Sequence, residues 1–229
     1  MIEKFKNLIK LRIISKNNFY INDDLELFEI NNSEVSKFVQ KKIVPIVGCS
    51  PYPLNEIMLM VGSVVRFNPT HIFEWGTHVG RSARIFYETI KFLNLQTEII
   101  SIDLPDNEYH QEHPGLRRGK FVKNKKNVKL YQGDGLKKSL EIYLNLKNCR
   151  PLFFLDGDHQ YDTVSRELNE IIKIVKNPKI LIHDTFFQKN SSYNTGPYMA
   201  ILDLEKKYKK KFKIIHTMTG LPGMTLVYK

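Results

Sequence analysis

The chain has 229 residues, which suits one domain with a small N-terminal addition and is ample for a buried core. Its composition, 42% hydrophobic, 26% charged and 11% aromatic, is that of an ordinary soluble globular protein. The start, Met1-Ile-Glu-Lys-Phe-Lys, does not read as a signal peptide, and no later run approaches the ~20 apolar residues of a spanning helix. Cys49 and Cys149 form no metal or redox spacing, so buried or idle thiols and a cytoplasmic location are expected. A net charge of +11 invites a nucleic-acid partner. The densest lysine cluster, Lys206, Lys207, Lys209, Lys210, Lys211 and Lys213, instead closes a predicted helix, where cations suit the helix dipole. A nucleic-acid partner is therefore not expected, and a homo-oligomer is allowed.

Residues 1–45 read as a helical or mixed extension and 46–229 as the main domain. Gly48-Cys-Ser-Pro51-Tyr-Pro53 punctuates the chain, since two prolines so close exclude helix and sheet interior. Residues 54–66 then have the apolar spacing of a helix packed on a core. Short apolar runs at 71–75, 98–102, 128–131, 152–155 and 180–182 alternate with helical stretches at 81–93, 136–146 and 163–175. Strands without polar alternation are buried on both faces, so the pattern predicts a parallel α/β sheet covered by helices. A helix over 198–210 is followed by runs at 212–217 and 224–228 around Gly220-Leu-Pro222-Gly223. That end reads as an antiparallel hairpin, which a purely doubly wound fold does not usually carry.

Chemistry collects where the predicted strands end. The first strand runs into Glu74-Trp-Gly76-Thr77-His-Val-Gly80-Arg-Ser82, an acid with two glycines. The glycines let the backbone approach a ligand without a Cβ clash. A dinucleotide turn needs no acid there, and a carboxylate repels a pyrophosphate but suits a cationic ligand. The second strand ends in Asp103, placed to accept two ribose hydroxyls, and Asp134 follows the third, placed to accept from an adenine amino group. Each acid alone also reads as a helix cap. The fourth strand ends in Leu155-Asp156-Gly157-Asp158-His159-Gln160-Tyr161 and the fifth in His183-Asp184-Thr185. Two carboxylates side by side at that rim share a proton or hold a cation such as Mg²⁺.

These motifs resemble those of the class I S-adenosylmethionine-dependent methyltransferases, over roughly residues 54–229. The resemblance implies a Rossmann-like, seven-stranded, mostly parallel sheet with a C-terminal antiparallel hairpin and helices on both faces. It also implies S-adenosylmethionine bound by Glu74, Gly76, Thr77, Gly80, Ser82, Asp103, Asp134 and Asp156. The Leu-Asp-Gly-Asp-His-x-Tyr and His-Asp-Thr strings are similar to the macrocin O-methyltransferase and cephalosporin hydroxylase-like group, and more distantly to the metal-dependent catechol O-methyltransferases. That likeness implies a divalent ion, Mg²⁺ or another, on Asp156 and Asp184. His183 stands where relatives often have another acid, and as a softer ligand it favours a different metal or none. In the implied reaction the ion lowers the pKa of an acceptor hydroxyl, and Asp158 or His159 removes its proton. The polar segment 107–120 offers Arg117 and Arg118 for an anionic group of the substrate, and 191–197 a second wall. An RNA methyltransferase, a cofactor-binding protein without methyl transfer and a nicotinamide dehydrogenase are the other readings.

Overall fold

The computed structural model describes residues 30–110, 113–189, 195–208 and 211–229. Residues 1–29 of the expected extension, 191–194 of the second loop, 111–112 of the first and Lys209 and Lys210 of the lysine cluster lie outside the described residues.

Helix α1 (Asn32–Phe38) starts at Asn31, whose side chain accepts the Glu34 N–H at 3.2 Å. It continues without interruption through a π-helical stretch, Val39–Ile43, into α2 (Val44–Val47). Pro45 lies in α2 just after the π-helical stretch, and Gly48 ends the helix at a φ of 75°. The boundary expected near residue 45 thus falls inside a continuous helical segment. Val35, Phe38, Val39, Ile43 and Val47 are buried in the same core as the sheet, so residues 30–47 pack as part of the domain.

The central elements follow the predicted alternation. They are α3 (Leu54–Phe67), β1 (His71–Trp75), α4 (Arg81–Phe92), β2 (Glu98–Asp103), β3 (Val128–Gln132), α5 (Gly135–Leu144), β4 (Pro151–Leu155), α6 (Tyr161–Ile174), β5 (Lys179–His183), α7 (Thr195–Tyr208), β6 (Lys213–His216) and β7 (Met224–Tyr228). The sheet has seven strands in the order β3-β2-β1-β4-β5-β7-β6. Neighbours among β1 to β5 pair parallel. β7 lies antiparallel between β5 and β6, which makes the last two strands the expected hairpin.

Successive side chains on a strand point to opposite faces, and each face has its own helices. Ile72 of β1, Phe154 of β4 and Leu181 of β5 meet Ile57, Met60 and Val64 of α3 and Ile85 and Phe86 of α4. Phe38 of α1 stacks on Phe92 of α4 there, with ring centroids 4.1 Å apart. On the other face Phe73, Phe153 and Ile180 pack against Leu140 of α5, Leu168 and Ile171 of α6 and Ile201 of α7. Each such fully buried side chain contributes roughly 1.5–3 kcal/mol, which explains why the central strands read as unbroken apolar runs. This is the Rossmann-like architecture of class I methyltransferases.

Candidate active site

From β1 the strand order runs outward through β2 and β3 on one side and through β4 and β5 on the other. Such a switch opens a crevice beyond the carboxyl ends of the strands. A cavity of about 1240 Å³ lies there, bordered by the turn after β1, by Asp103, Asp134, Asp156, His159 and His183, and by Asp184.

The turn after β1 is built by close approach within the chain. A Cβ on Gly76, at φ 94°, would lie 1.9 Å from the Asp156 carbonyl oxygen, so only glycine lets this turn pass beside the end of β4. The reading that the glycines clear room for a ligand is therefore amended at Gly76: the nearest obstacle is protein. Gly80 starts α4 in the left-handed region, and Ser82 and Thr77 line the cavity.

Glu74 occupies a different place from the one its motif suggests. It is the penultimate residue of β1, 1% exposed, and does not border the cavity. Strand alternation turns it away from Phe73 and Trp75, toward the α3–α4 side. There it stands opposite Ser101, whose hydroxyl donates to Oε1 at 2.6 Å. Ser101 also meets the Thr77 hydroxyl at 2.6 Å. Burial pushes the Glu74 carboxyl up to about 8, against the opposing effect of the Ser101 and Ser82 hydroxyls. Glu74 thus underlies the turn as a mostly neutral acid at pH 7.

Asp103 ends β2 with three protein partners. Its Oδ1 accepts the Leu104 N–H at 2.9 Å, and its Oδ2 accepts the His78 N–H at 2.9 Å and meets Arg118 Nε at 3.3 Å. Arg118 also reaches Asp106 and the Leu104 carbonyl, both at 2.5 Å. It is bound to the turn after β2 and so does not serve as the free anion clamp read from the sequence. Arg117, exposed, does border the cavity. Asp134 realises its bland reading: Oδ1 caps α5 by accepting the Lys137 N–H at 2.8 Å, while the residue still faces the cavity.

The densest chemistry is at the ends of β4 and β5. Asp156 Oδ2 accepts the Tyr52 hydroxyl at 2.5 Å, and Asp156 Oδ1 lies 2.8 Å from His183 Nδ1. Asp184 Oδ2 is 3.0 Å from the same nitrogen and 3.1 Å from His159 Nδ1. On the far side of the ring, His183 Nε2 meets Glu56 Oε2 at 3.1 Å. Burial alone would lower the His183 pKa. The carboxylates of Asp156, Asp184 and Glu56 outweigh it and hold the imidazole well above its usual value. Asp156, His183 and Asp184 each offer a ligand atom, all within 4.8 Å of one another.

The two proton-acceptor candidates have separate fates. Asp158 serves the start of α6: it accepts the Gln160 N–H at 3.0 Å and the Thr163 hydroxyl at 2.7 Å. Burial works to raise it, but those donors win and hold its carboxyl below the ordinary range. His159 faces the cavity with its Nδ1 against Asp184.

Three site residues escaped the sequence reading. Tyr52 lay in a segment read only as punctuation. Glu56 is a lone acid in the apolar helix α3, and Glu167 interrupts the buried stripe Val164, Leu168, Ile171 of α6. An acid inside an apolar stripe was the available signal. Glu167 borders the cavity and accepts the Trp75 indole N–H at 3.0 Å, and burial pushes its carboxyl up to about 8.

Residues 73–185 match a family model described as a methyltransferase domain. No curated protein matches the chain in sequence. Among solved structures it is similar to an S-adenosylhomocysteine-bound methyltransferase from Podospora anserina, at 18% identity, with 99% of this chain and 96% of that one covered and a TM-score of 0.55. It is also similar to an O-methyltransferase from Bacillus cereus in complex with S-adenosylhomocysteine, at 16% identity, 100% and 99% coverage and a TM-score of 0.55. A third, the O-methyltransferase TomG of tomaymycin synthesis from Streptomyces achromogenes, gives 12% identity, 96% and 95% coverage and a TM-score of 0.53. With residues 73–185 similar to a methyltransferase domain, the chain has the Rossmann-like fold of the class I S-adenosylmethionine-dependent methyltransferases.

Proposed function

We propose that this enzyme transfers the methyl group of S-adenosylmethionine to a hydroxyl oxygen of a small molecule or sugar, assisted by a divalent cation at Asp156, His183 and Asp184. The observation that carries the reading is the placement of those three residues on the wall of the same cavity that Asp103 and Asp134 enter. The O-methyltransferases from Bacillus cereus and Streptomyces achromogenes, bound to S-adenosylhomocysteine and S-adenosylmethionine, share its fold and support the cofactor and the oxygen acceptor.

The residues fit both groups. For the nucleoside, Asp103 offers the ribose acceptor, and Asp134, with Oδ1 on its helix and Oδ2 3.7 Å from the Arg166 guanidinium, borders the adenine side. Thr77, Gly76, Gly80 and Ser82 form the turn, with Glu74 beneath it rather than in contact. For the cation, the donor set would be two carboxylates and one imidazole, whose ligand atoms all lie within 4.8 Å of one another, with His183 holding the ion through a deprotonated Nδ1. S-adenosylmethionine supplies the electrophilic methyl group, and the ion supplies a Lewis acid that lowers the pKa of the acceptor hydroxyl.

The remaining work falls to the chain. His159, on the cavity wall, is the proton acceptor, and Asp184, 3.1 Å from its Nδ1, stabilises the imidazolium that forms. Tyr52 donates to Asp156 and keeps one of its oxygens fixed. Burial and the Asp156 charge raise the Tyr52 pKa well above its usual value, so Tyr52 stays a donor at working pH. Among the described residues no helix is long and apolar enough to cross a membrane, and we place the protein in the cytoplasm.

Calorimetry with S-adenosylhomocysteine and transfer of a labelled methyl group to vicinal diols and catechols test the reading. Cofactor binding is expected to survive a chelator, while transfer falls at least ~100-fold and returns with added dication. Transfer indifferent to chelator and to Asp156→Ala would remove the metal from the mechanism. Salt-steep binding of RNA with methylation of it would replace the acceptor class.

A further inference from the structure

His183 ends β5 at 4% exposure and has its two ring nitrogens in unlike surroundings. Nδ1 faces the Asp156 and Asp184 oxygens at 2.8 and 3.0 Å, which is close to the ~3 Å separating adjacent ligands around a small dication. Nε2 faces Glu56 Oε2, at 3.1 Å. Glu56 comes from the first turn of α3, on a different part of the chain, and is itself 1% exposed. Its other oxygen, Oε1, accepts the backbone N–H of Gly223 at 2.8 Å, just before β7. The carboxylate is therefore held at both ends, and one oxygen is aimed at Nε2.

A carboxylate in that position keeps the proton on Nε2 and leaves the Nδ1 lone pair to a metal, as outer partners of ligating histidines do. Two further details agree. Asp184 adopts a left-handed φ of 56°, which brings its carboxylate beside His183 although the two are neighbours on the chain. The Tyr52 ring packs edge-on against the imidazole, with centroids 4.9 Å apart, and limits its rotation.

Resting on the metal-assisted reading above, we propose that Glu56 is a positioning residue that commits His183 to bind the ion through Nδ1. The resulting nitrogen and two-carboxylate site then takes a transition-metal dication, such as Mn²⁺ or Co²⁺, in preference to Mg²⁺. The chemical reason is that Mg²⁺ demands oxygen donors and gives up its waters reluctantly. The first-row transition ions accept an imidazole more readily than Mg²⁺ does, and their affinity for nitrogen rises from Mn²⁺ to Co²⁺ and beyond.

The test measures ion binding on the S-adenosylhomocysteine-bound protein by calorimetry and by Mn²⁺ electron spin resonance. Wild type is expected to bind Mn²⁺ at least ~10-fold tighter than Mg²⁺, with hyperfine coupling to one imidazole nitrogen. In Glu56→Gln the amide oxygen can still accept from Gly223, but the NH₂ then faces Nε2 and drives the His183 proton to Nδ1. Mn²⁺ affinity is expected to fall ~10–100-fold and the nitrogen coupling to disappear, with cofactor affinity kept. A second variant, His183→Asn, is expected to lose the preference for Mn²⁺ over Mg²⁺. Equal binding of the two ions by wild type, or Glu56→Gln with wild-type affinity and coupling, overturns this inference and leaves the metal-assisted reading standing. Failure of wild type to bind either ion overturns both.

Discussion

Glu167 and Glu74 are carboxyls shut away from water on opposite faces of the sheet, each pushed up to about 8 chiefly by burial. Such groups tie stability to pH. The folded state holds their protons up to about 8, whereas the unfolded chain releases them near the ordinary 4.5. Their contribution is therefore full below pH ~4.5 and is lost as pH rises through the folded value near 8. Glu167→Gln keeps an acceptor for the Trp75 indole and removes one titration. Denaturant midpoints are expected to fall between about pH 6 and pH 9 in wild type and to fall less in the variant, by on the order of 1 kcal/mol or more. An equal fall in both would show that Glu167 ionises normally. Asp158 and His159 divide in a similar way by surroundings. His159→Ala is expected to cut transfer ~10²–10⁴-fold with cofactor affinity unchanged, the range for losing a general base. Asp158→Asn, which removes only a helix-start acceptor, should act mainly on thermal stability. The reverse pattern in the two variants would move the base to Asp158.

Along elements, the sequence was informative where the core constrains both faces. The apolar runs of β1, β2, β4 and β5 lie within a residue or so of the predicted strands, because strands covered by helices on both sides need unbroken apolar side chains. The same double burial hid the direction of Glu74: a motif read as a string does not say which face a strand residue takes, and period-two alternation turned it inward. The helical segment 32–47 reads as part of an extension because the chain is punctuated just after it by Gly48-Cys-Ser-Pro51-Tyr-Pro53, and punctuation does not say whether the preceding helix packs on the core. Ile43 and Val39 of that segment are fully buried against α4 and the sheet. Ile43→Ala is accordingly expected to cost ~2–5 kcal/mol in chemical denaturation, within a single cooperative transition. A separate early transition, with the main unfolding unmoved, would instead restore residues 30–47 to the status of an appendage.

Across the whole molecule, the half of the site carried on strand ends was legible because topology places successive strand ends on one rim. Asp103, Asp134, Asp156, His183 and Asp184 all arrive there. Tyr52 and Glu56 were not legible in role, since they come from a loop and a helix more than a hundred residues before their partners. Only packing brings them together. The strand order has a consequence for how the enzyme is made. The turn, Asp103 and Asp134 follow β1, β2 and β3, three strands that neighbour one another in the sheet and precede the rest in the chain. Glu56, by contrast, is held by Gly223, and β5 is flanked by β7, the last strand in chain order. The cluster of Asp156, His183, Asp184 and Glu56 is therefore complete only when the final hairpin docks, and a chain truncated before β7 is expected to lose it.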